Sequence, residues 1–410
     1  MTADRARLSP PLLAHEKTAA PPIPKAVITQ RGVDRLRSGH VWVYRSDVAS
    51  TGGAGPGAVV AVSAERGRFL GSALYSSSSQ IALRLISPGV VPDFPALLRA
   101  RVGNAFAYRE RLVQDTDAYR LVFSEADFLP GLIVDRYNDI LCLEILTQAM
   151  DAEPVRAALL AELSERLRPA SIAERVDLHI RELEQLPPRA SGLLLGSKTS
   201  TVFTMNGVQF QFEAGAGQKT GAYLDQRENY AAAARYGRGE ALDVFCYQGG
   251  FALHLAPRCT RVTGVDSSRP ALEVADKNAA LNGREVEWIE ANAFDLLRDY
   301  ASAGQQCDTI VLDPPAFAKS RKNLDTALRG YKELNLRALK MLRSGGTLVS
   351  CSCSYHVSEG ELIAVVTDAA RDAHRTLRLL EKRSQARDHP ILPAVPETSY
   401  LKCLIFDVSE

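Results

Sequence analysis

From about residue 200 the sequence alternates between short apolar, β-branched runs and helical ones. ALDVFCY is followed by GGFALHLA, RVTGVD by ALEVADKNAALN, VEWIEANAF by DLLRDYA, TIVLDPP by YKELNLRALKML, and GGTLVSCSCS by EGELIAVVTDAARDA. Parallel neighbouring strands need a crossover of about a dozen residues or more, and a helix supplies it. The alternation therefore predicts an α/β domain over 199–410, a doubly wound Rossmann-like sheet wrapped by helices.

Ahead of it, residues 25–93 hold short β-branched runs separated by Gly-containing turns, which predicts a small β-rich domain. Over 94–198 the predicted order is a helix, a strand pair broken at Leu129-Pro130-Gly131, a helix over Glu153–Leu167 and a strand over SIAERVDLHI. That is a compact α+β middle domain. Residues 1–24 are rich in Ala and Pro, with acidic residues where a secretion signal needs an apolar stretch. They read as a disordered leader.

The net charge of +1 excludes a bulk polycation, so any nucleic acid must be met by local basic patches. Arg31, Arg35, Arg37 and Arg45 make one such candidate patch; a solvated basic face is the plainer reading of the same residues. No apolar run reaches the roughly 18–20 residues that cross a bilayer, so no membrane partner is expected. Seven cysteines without paired spacing point to a reducing cytoplasm rather than a disulfide framework. A structural zinc site would need four ligands at recognisable spacing, and no such set stands out, so no metal is expected.

The ends of the alternating strands carry the chemistry. The first ends in Asp243-Val-Phe-Cys-Tyr-Gln-Gly-Gly-Phe251, where glycines let a ligand approach the backbone. The second ends in Asp266, at the distance expected of a ribose-binding carboxylate. The third leads to Asn292-Ala293, a candidate adenine edge, and the fourth to the stiff Asp313-Pro314-Pro315 step. Each feature alone has a structural reading: a tight turn, a helix cap, a rigid loop. In this order, along a doubly wound sheet, they favour a nucleoside-containing cofactor.

This set resembles the class I S-adenosylmethionine-dependent methyltransferases. KTGAYLDQRENY (219–230), FCYQGGF (245–251), LDPPAF (312–317), RGYKELN (329–335) and SCS (352–354) resemble the RlmI family, bacterial ribosomal RNA large subunit cytosine-5 methyltransferases. HVWVY (40–44) is similar to that family's N-terminal PUA domain, and YRLVFSEADFLPGLIVDRY (119–137) to its middle domain. The resemblance implies S-adenosyl-L-methionine as cofactor, large-subunit ribosomal RNA as partner and a homodimer. It implies cofactor or active-site contacts at Tyr223, Asp225, Gln226, Arg227, Asp243, Phe245, Tyr247, Gly249, Asp266 and Asp313. Asn292 departs from the acid that relatives often carry there. Cys353 matches the family's nucleophile.

Cytosine C5 is a poor nucleophile, and a thiolate adding to C6 activates it. Cys353 ends the fifth strand beside Asp313 at the end of the fourth, where the two could share a base. Cys351, one step deeper on the same face, reads as buried filler, Cys246 as packing and His356 as a surface residue. Within the same class the competing reading is methylation of a guanine, which needs no cysteine. A non-catalytic RNA-binding assembly factor and a nicotinamide dehydrogenase are the others, the last without its G-x-G-x-x-G turn.

Overall fold

The computed structural model describes residues 23–215, 221–318 and 320–410. Nearly all of the leader, and Lys219 and Thr220 of the KTGAYLDQRENY stretch, lie outside the described residues.

The first sheet joins β1 (Lys25–Ile28), β2 (Trp42–Tyr44), β3 (Val48–Ser50), β4 (Val59–Ala64), β5 (Phe69–Tyr75) and β6 (Ile81–Ser87) in the order β2-β6-β5-β4-β1-β3. Between β1 and β2 the chain forms a helix that the β-rich reading did not anticipate, α1 (Gln30–Arg37). Thr29 caps it by accepting from the Gly32 N–H, and Val33 and Leu36 pack on the sheet.

The second sheet has the order β11-β10-β9-β8-β7. Its strands are β7 (Ala118–Phe123), β8 (Leu132–Tyr137), β9 (Ile140–Ile145), β10 (Ser171–Glu174) and β11 (Gly192–Gly196). Helices α2 (Phe94–Leu112), α3 (Gln148–Asp151), α4 (Glu153–Leu167) and α5 (Leu178–Leu183) accompany them. The expected strand pair is thus three strands, because a second turn at Asn138, with φ 52°, divides it. The strand expected over SIAERVDLHI stops at Glu174. The Asp177 carboxylate then accepts from the Ile180 N–H at 3.0 Å and starts α5.

The third part opens with a hairpin, β12 (Ser200–Met205) and β13 (Val208–Glu213), turned by Asn206-Gly207 with both φ angles positive. Helix α6 (Arg227–Tyr236) leads into a seven-stranded sheet. Its elements are β14 (Glu240–Val244), α7 (Gly250–Leu255), β15 (Arg261–Asp266), α8 (Arg269–Leu281), β16 (Glu287–Glu290) and α9 (Ala293–Ser302). They continue as β17 (Cys307–Leu312), α10 (Leu324–Met341), β18 (Leu342–Ser352), α11 (Glu359–Asp372), β19 (Thr376–Arg383) and β20 (Lys402–Ser409).

The order is β16-β15-β14-β17-β18-β20-β19. The first five strands are parallel, and β20 runs antiparallel between β18 and β19. Alternate residues face opposite cores, as the twofold period of a strand requires. Leu242, Ile310, Leu348 and Leu404 join the cluster under α9, α10 and α11, while Ala241, Val311, Val349 and Ile405 join the one under α6, α7 and α8. That two-sided burial confirms the doubly wound α/β expectation. The chain winds outward from β14 through β15 and β16, then resumes on the other side at β17. This reversal makes a crevice outside the carboxyl ends of the strands.

Apolar packing runs on between the sheets. Leu74 and Ile86 share a core with α2 and α4, and Tyr137 stacks on Phe212 with ring centroids 4.1 Å apart. Among the described residues no helix is long and apolar enough to cross a membrane.

Candidate functional site

The turn after β14 is a held structure. The Phe245 and Cys246 N–H groups both donate to the Val265 carbonyl, at 2.9 and 3.0 Å. Phe245 and Tyr247 take left-handed φ angles of 68° and 48°, which cost about 1–3 kcal/mol each in a non-glycine residue. Gly250 opens α7 against the Tyr230 ring, where an added Cβ would stand 2.4 Å from it. The strained turn aims backbone N–H groups at the next strand end. Tyr247 N–H donates to one oxygen of Asp266 and Ser268 N–H to the other, each at 2.9 Å. The Asp266 carboxylate is thereby fixed at the rim.

Asp243 lies beneath the turn, fully buried. One carboxylate oxygen accepts from Ala252 N–H at 2.8 Å, and the other has no hydrogen-bond partner. Burial, opposed by that amide and reinforced by Asp313 and Asp266, pushes its carboxyl up to about 8.

Asp313 follows β17, its N–H donating to the Val244 carbonyl. Cys353 follows β18, half-buried, with Sγ 3.8 Å from the Pro314 carbonyl oxygen. Tyr223 crosses the cleft edge-on to Tyr247, with ring centroids 5.0 Å apart. Asp225 accepts from the Tyr400 hydroxyl at 2.7 Å. Gln226 Oε1 accepts from Asn229 at 2.7 Å, and its buried side chain also meets the Cys351 thiol. Tyr223, Asp225, Gln226, Phe245, Tyr247, Asp266, Asp313 and Cys353 thus line one cleft of about 220 Å³.

The remaining expected residues are placed otherwise. Gly249 forms the turn, with φ 84°, and does not line the cleft. Arg227 begins α6 and turns away, its guanidinium 2.9 Å from Asp388. Asn292 caps α9, its oxygen accepting from Phe294 N–H at 2.9 Å, and Ala293 is buried behind it. Cys351 and Cys246 are buried, and burial raises both thiols well above their usual range.

In the first sheet, Arg31 pairs with Asp47 and Arg37 is exposed beside Asp34. The Arg35 guanidinium lies over the Tyr44 ring, 4.3 Å from its centroid. Arg45 donates to the carbonyls of Ser76 and Ser79. Sequence reasoning missed Tyr400 and Lys402 from β20 and the loop before it. Their one signal is a lysine opening an otherwise apolar run, KCLIF.

A carboxylate held by two amides and a cleft between aromatic rings suit a nucleoside such as S-adenosylmethionine. Among the described residues no group of three or more His, Cys, Asp or Glu could hold a metal ion.

Comparison with known proteins agrees with this chemistry. Residues 27–88 match a PUA-like domain and residues 142–407 an S-adenosylmethionine-dependent methyltransferase. The ribosomal RNA large subunit methyltransferase I of Shewanella denitrificans is 39% identical over 385 residues, covering 90% of this chain and 96% of that protein. The protein of the same name from Vibrio cholerae is 36% identical, covering 92% and 98%. Among solved structures, a methyltransferase complexed with S-adenosylhomocysteine superposes with a TM-score of 0.80 at 18% identity, covering 94% of this chain and all of that one. An S-adenosylmethionine-dependent methyltransferase from Streptococcus mutans gives 0.79 with the same identity and coverage. These two likenesses show the fold.

Proposed function

The chain belongs to the ribosomal RNA large subunit methyltransferase I family of S-adenosylmethionine-dependent enzymes, and we propose that it methylates C5 of a cytosine in large-subunit ribosomal RNA through an adduct at Cys353. The observation that carries the reading is the position of Cys353. It shares one cleft with Asp313 on the adjacent parallel strand end and with the amide-held Asp266.

Bound S-adenosylmethionine supplies an electrophilic methyl group on a sulfonium sulfur. Asp266 would hold its ribose hydroxyls, with Phe245, Tyr247 and Tyr223 around it. Cys353 thiolate adds to C6 of the base, and the C5=C6 electron pair moves onto the ring. Asp313 at the N3/N4 edge would accept from the N4 amino group and from N3–H, favouring the ring that takes up a solvent proton at N3 as the charge arrives there. C5 then takes the methyl group as S-adenosylhomocysteine leaves, the C5 and N3 protons pass to solvent, and the returning C5=C6 double bond expels the thiolate.

The base must leave its stack to reach the cleft, so the substrate is single-stranded or incompletely folded RNA. The PUA-like unit, with Arg31, Arg35, Arg37 and Arg45, would track its phosphates. Such a substrate implies a cytoplasmic site of action, and seven cysteines outside any disulfide accord with a reducing compartment.

The test is a nucleoside analysis. Unmodified large-subunit ribosomal RNA is incubated with the protein and methyl-labelled S-adenosylmethionine, digested and resolved by mass spectrometry. Label in 5-methylcytidine is the expected result; label in a guanosine overturns the reading.

A further inference from the structure

A nucleophilic thiolate needs a nearby positive charge. The groups near Cys353 include the hydroxyls of Tyr223 and Tyr331 and, lining the same cleft, the acid Asp313, none of them a cation. A cation does stand on the neighbouring strand. Lys402 opens β20, which pairs with β18 so that Lys402 lies opposite Ser352. Its ammonium is buried and donates to the Ser354 carbonyl at 2.7 Å and the Tyr400 carbonyl at 2.9 Å.

We infer that Lys402 is a positioning residue for Cys353, fixing the backbone that carries the cysteine and compensating the charge of its thiolate. This rests on reading Cys353 as the nucleophile. An ammonium has three donors, and the two carbonyls use two of them. Both carbonyls are neutral, so they orient the ammonium without cancelling its charge. Glu361 on α11 also faces it, but that carboxylate closes a capping box with Ser358, accepting from its N–H and its hydroxyl at 2.7 Å each. Burial draws the ammonium down to about 8, while Cys353 and Glu361 hold it up.

The placement suits a thiolate that must leave again. Charge departs from sulfur when the S–C6 bond forms and returns when it breaks, while Lys402 stays bound to the same two carbonyls.

The experiment is the pH dependence of Cys353 alkylation by iodoacetamide, followed on its own peptide by mass spectrometry. Wild type is compared with Lys402→Gln, which retains a donor but no charge, and with Lys402→Arg. The midpoint is expected to rise by about one pH unit in Lys402→Gln and to stay low in Lys402→Arg. Thermal unfolding of each variant accompanies it, and half-buried Cys259 is the internal reference. An unchanged midpoint in a folded Lys402→Gln protein overturns the inference and leaves Lys402 a packing residue. Full methyl transfer by Cys353→Ala would instead overturn the parent reading, whatever the midpoints show.

Discussion

Cys353 Sγ stands 3.8 Å from the carbonyl oxygen of Pro314, joining the ends of β18 and β17 at the mouth of the cleft. The strands are adjacent and parallel, with Leu312 opposite Ser350, so each delivers its next residues to the same rim. A thiol on one strand end and a carboxylate on the other therefore flank the space that a planar base would occupy. Cys353→Ala removes the proposed nucleophile and little else, since the side chain is small and half-buried. Methyl transfer is expected to fall at least about a thousandfold, with S-adenosylmethionine affinity unchanged by calorimetry. Residual activity within tenfold of wild type would return Cys353 to a packing role.

Asp266 tests the cofactor side independently. Its two oxygens are oriented by the Tyr247 and Ser268 amides, so little reorganisation remains when ribose hydroxyls arrive. Charge-assisted bonds contribute about 1.5–3 kcal/mol each. Asp266→Asn should weaken S-adenosylmethionine binding by roughly tenfold to a hundredfold. The rate at saturating cofactor should change much less. Equal affinities in a titration would move the ribose elsewhere.

Asp243 predicts a pH dependence of stability. Burial raises its folded-state value to about 8, far above that of an unfolded aspartate, so the folded chain holds a proton that the unfolded chain releases. The stabilisation is complete below about pH 4, the unfolded value, and is lost as pH rises through about 8. Asp243→Asn cannot titrate. Relative to that variant, wild type should lose thermal stability steadily between about pH 5 and pH 8. Parallel melting curves across that range would show that Asp243 is already ionised.

How much of this was legible in the sequence depended on periodicity. Strands β14 to β18 announced themselves because each is an apolar run followed by a helix, and Asp266, Asp313 and Cys353 could be placed by being their ends. The hairpin β12–β13 and the antiparallel pair β19–β20 carry no helix between strands, so alternation was silent about them. Lys402 was missed with β20. In α1, Gly32 and several arginines hid a helix that Thr29 caps. Arg227 follows Gln226 directly, yet it is the first residue of α6, and the helical turn sends it away from the cleft. Asn292 shows a local motif winning: its oxygen caps α9, the commonest use of an asparagine ahead of a helix.

Arg227 has a different task, argued from its partner. Asp388 is fully buried and accepts from Arg227 at 2.9 Å and from the Arg120 N–H of β7 at 2.8 Å. Burial alone would raise its carboxyl; His389, Arg227 and the Arg120 amide overcome this and hold it well below the usual range. The network ties the middle sheet to the segment that carries Asp225 and Gln226. Asp388→Ala removes the nearer carboxylate from a buried guanidinium and leaves it Glu228 at 3.6 Å, which costs up to about 3–5 kcal/mol. A large drop in the midpoint of thermal unfolding is expected, and a shift within the scatter of surface mutants would show the pair to be dispensable.

The last prediction concerns how RNA reaches Cys353. Two residues beyond it, Tyr355 is 43% exposed and meets the His356 ring edge-on, with centroids 5.3 Å apart. Its hydroxyl is pushed up by partial burial and by Glu397 and Tyr44, so Tyr44 of the first sheet lies near the loop that carries the cysteine. With Arg35 stacked over Tyr44, an aromatic and a cation sit on the side of Tyr355 that faces the first sheet. An exposed ring at that point can stack on a nucleotide neighbouring the extruded base, and base stacking on an aromatic side chain contributes about 1–3 kcal/mol. Tyr355→Ala should therefore raise the KM for RNA by roughly fivefold to a hundredfold. If Arg35 tracks phosphates, Arg35→Ala should weaken binding in a salt-dependent way. Both variants should bind S-adenosylmethionine as wild type does. Unchanged KM in both would move the RNA path to another face, whereas a loss of cofactor binding in either would mark the loop as part of the cofactor site.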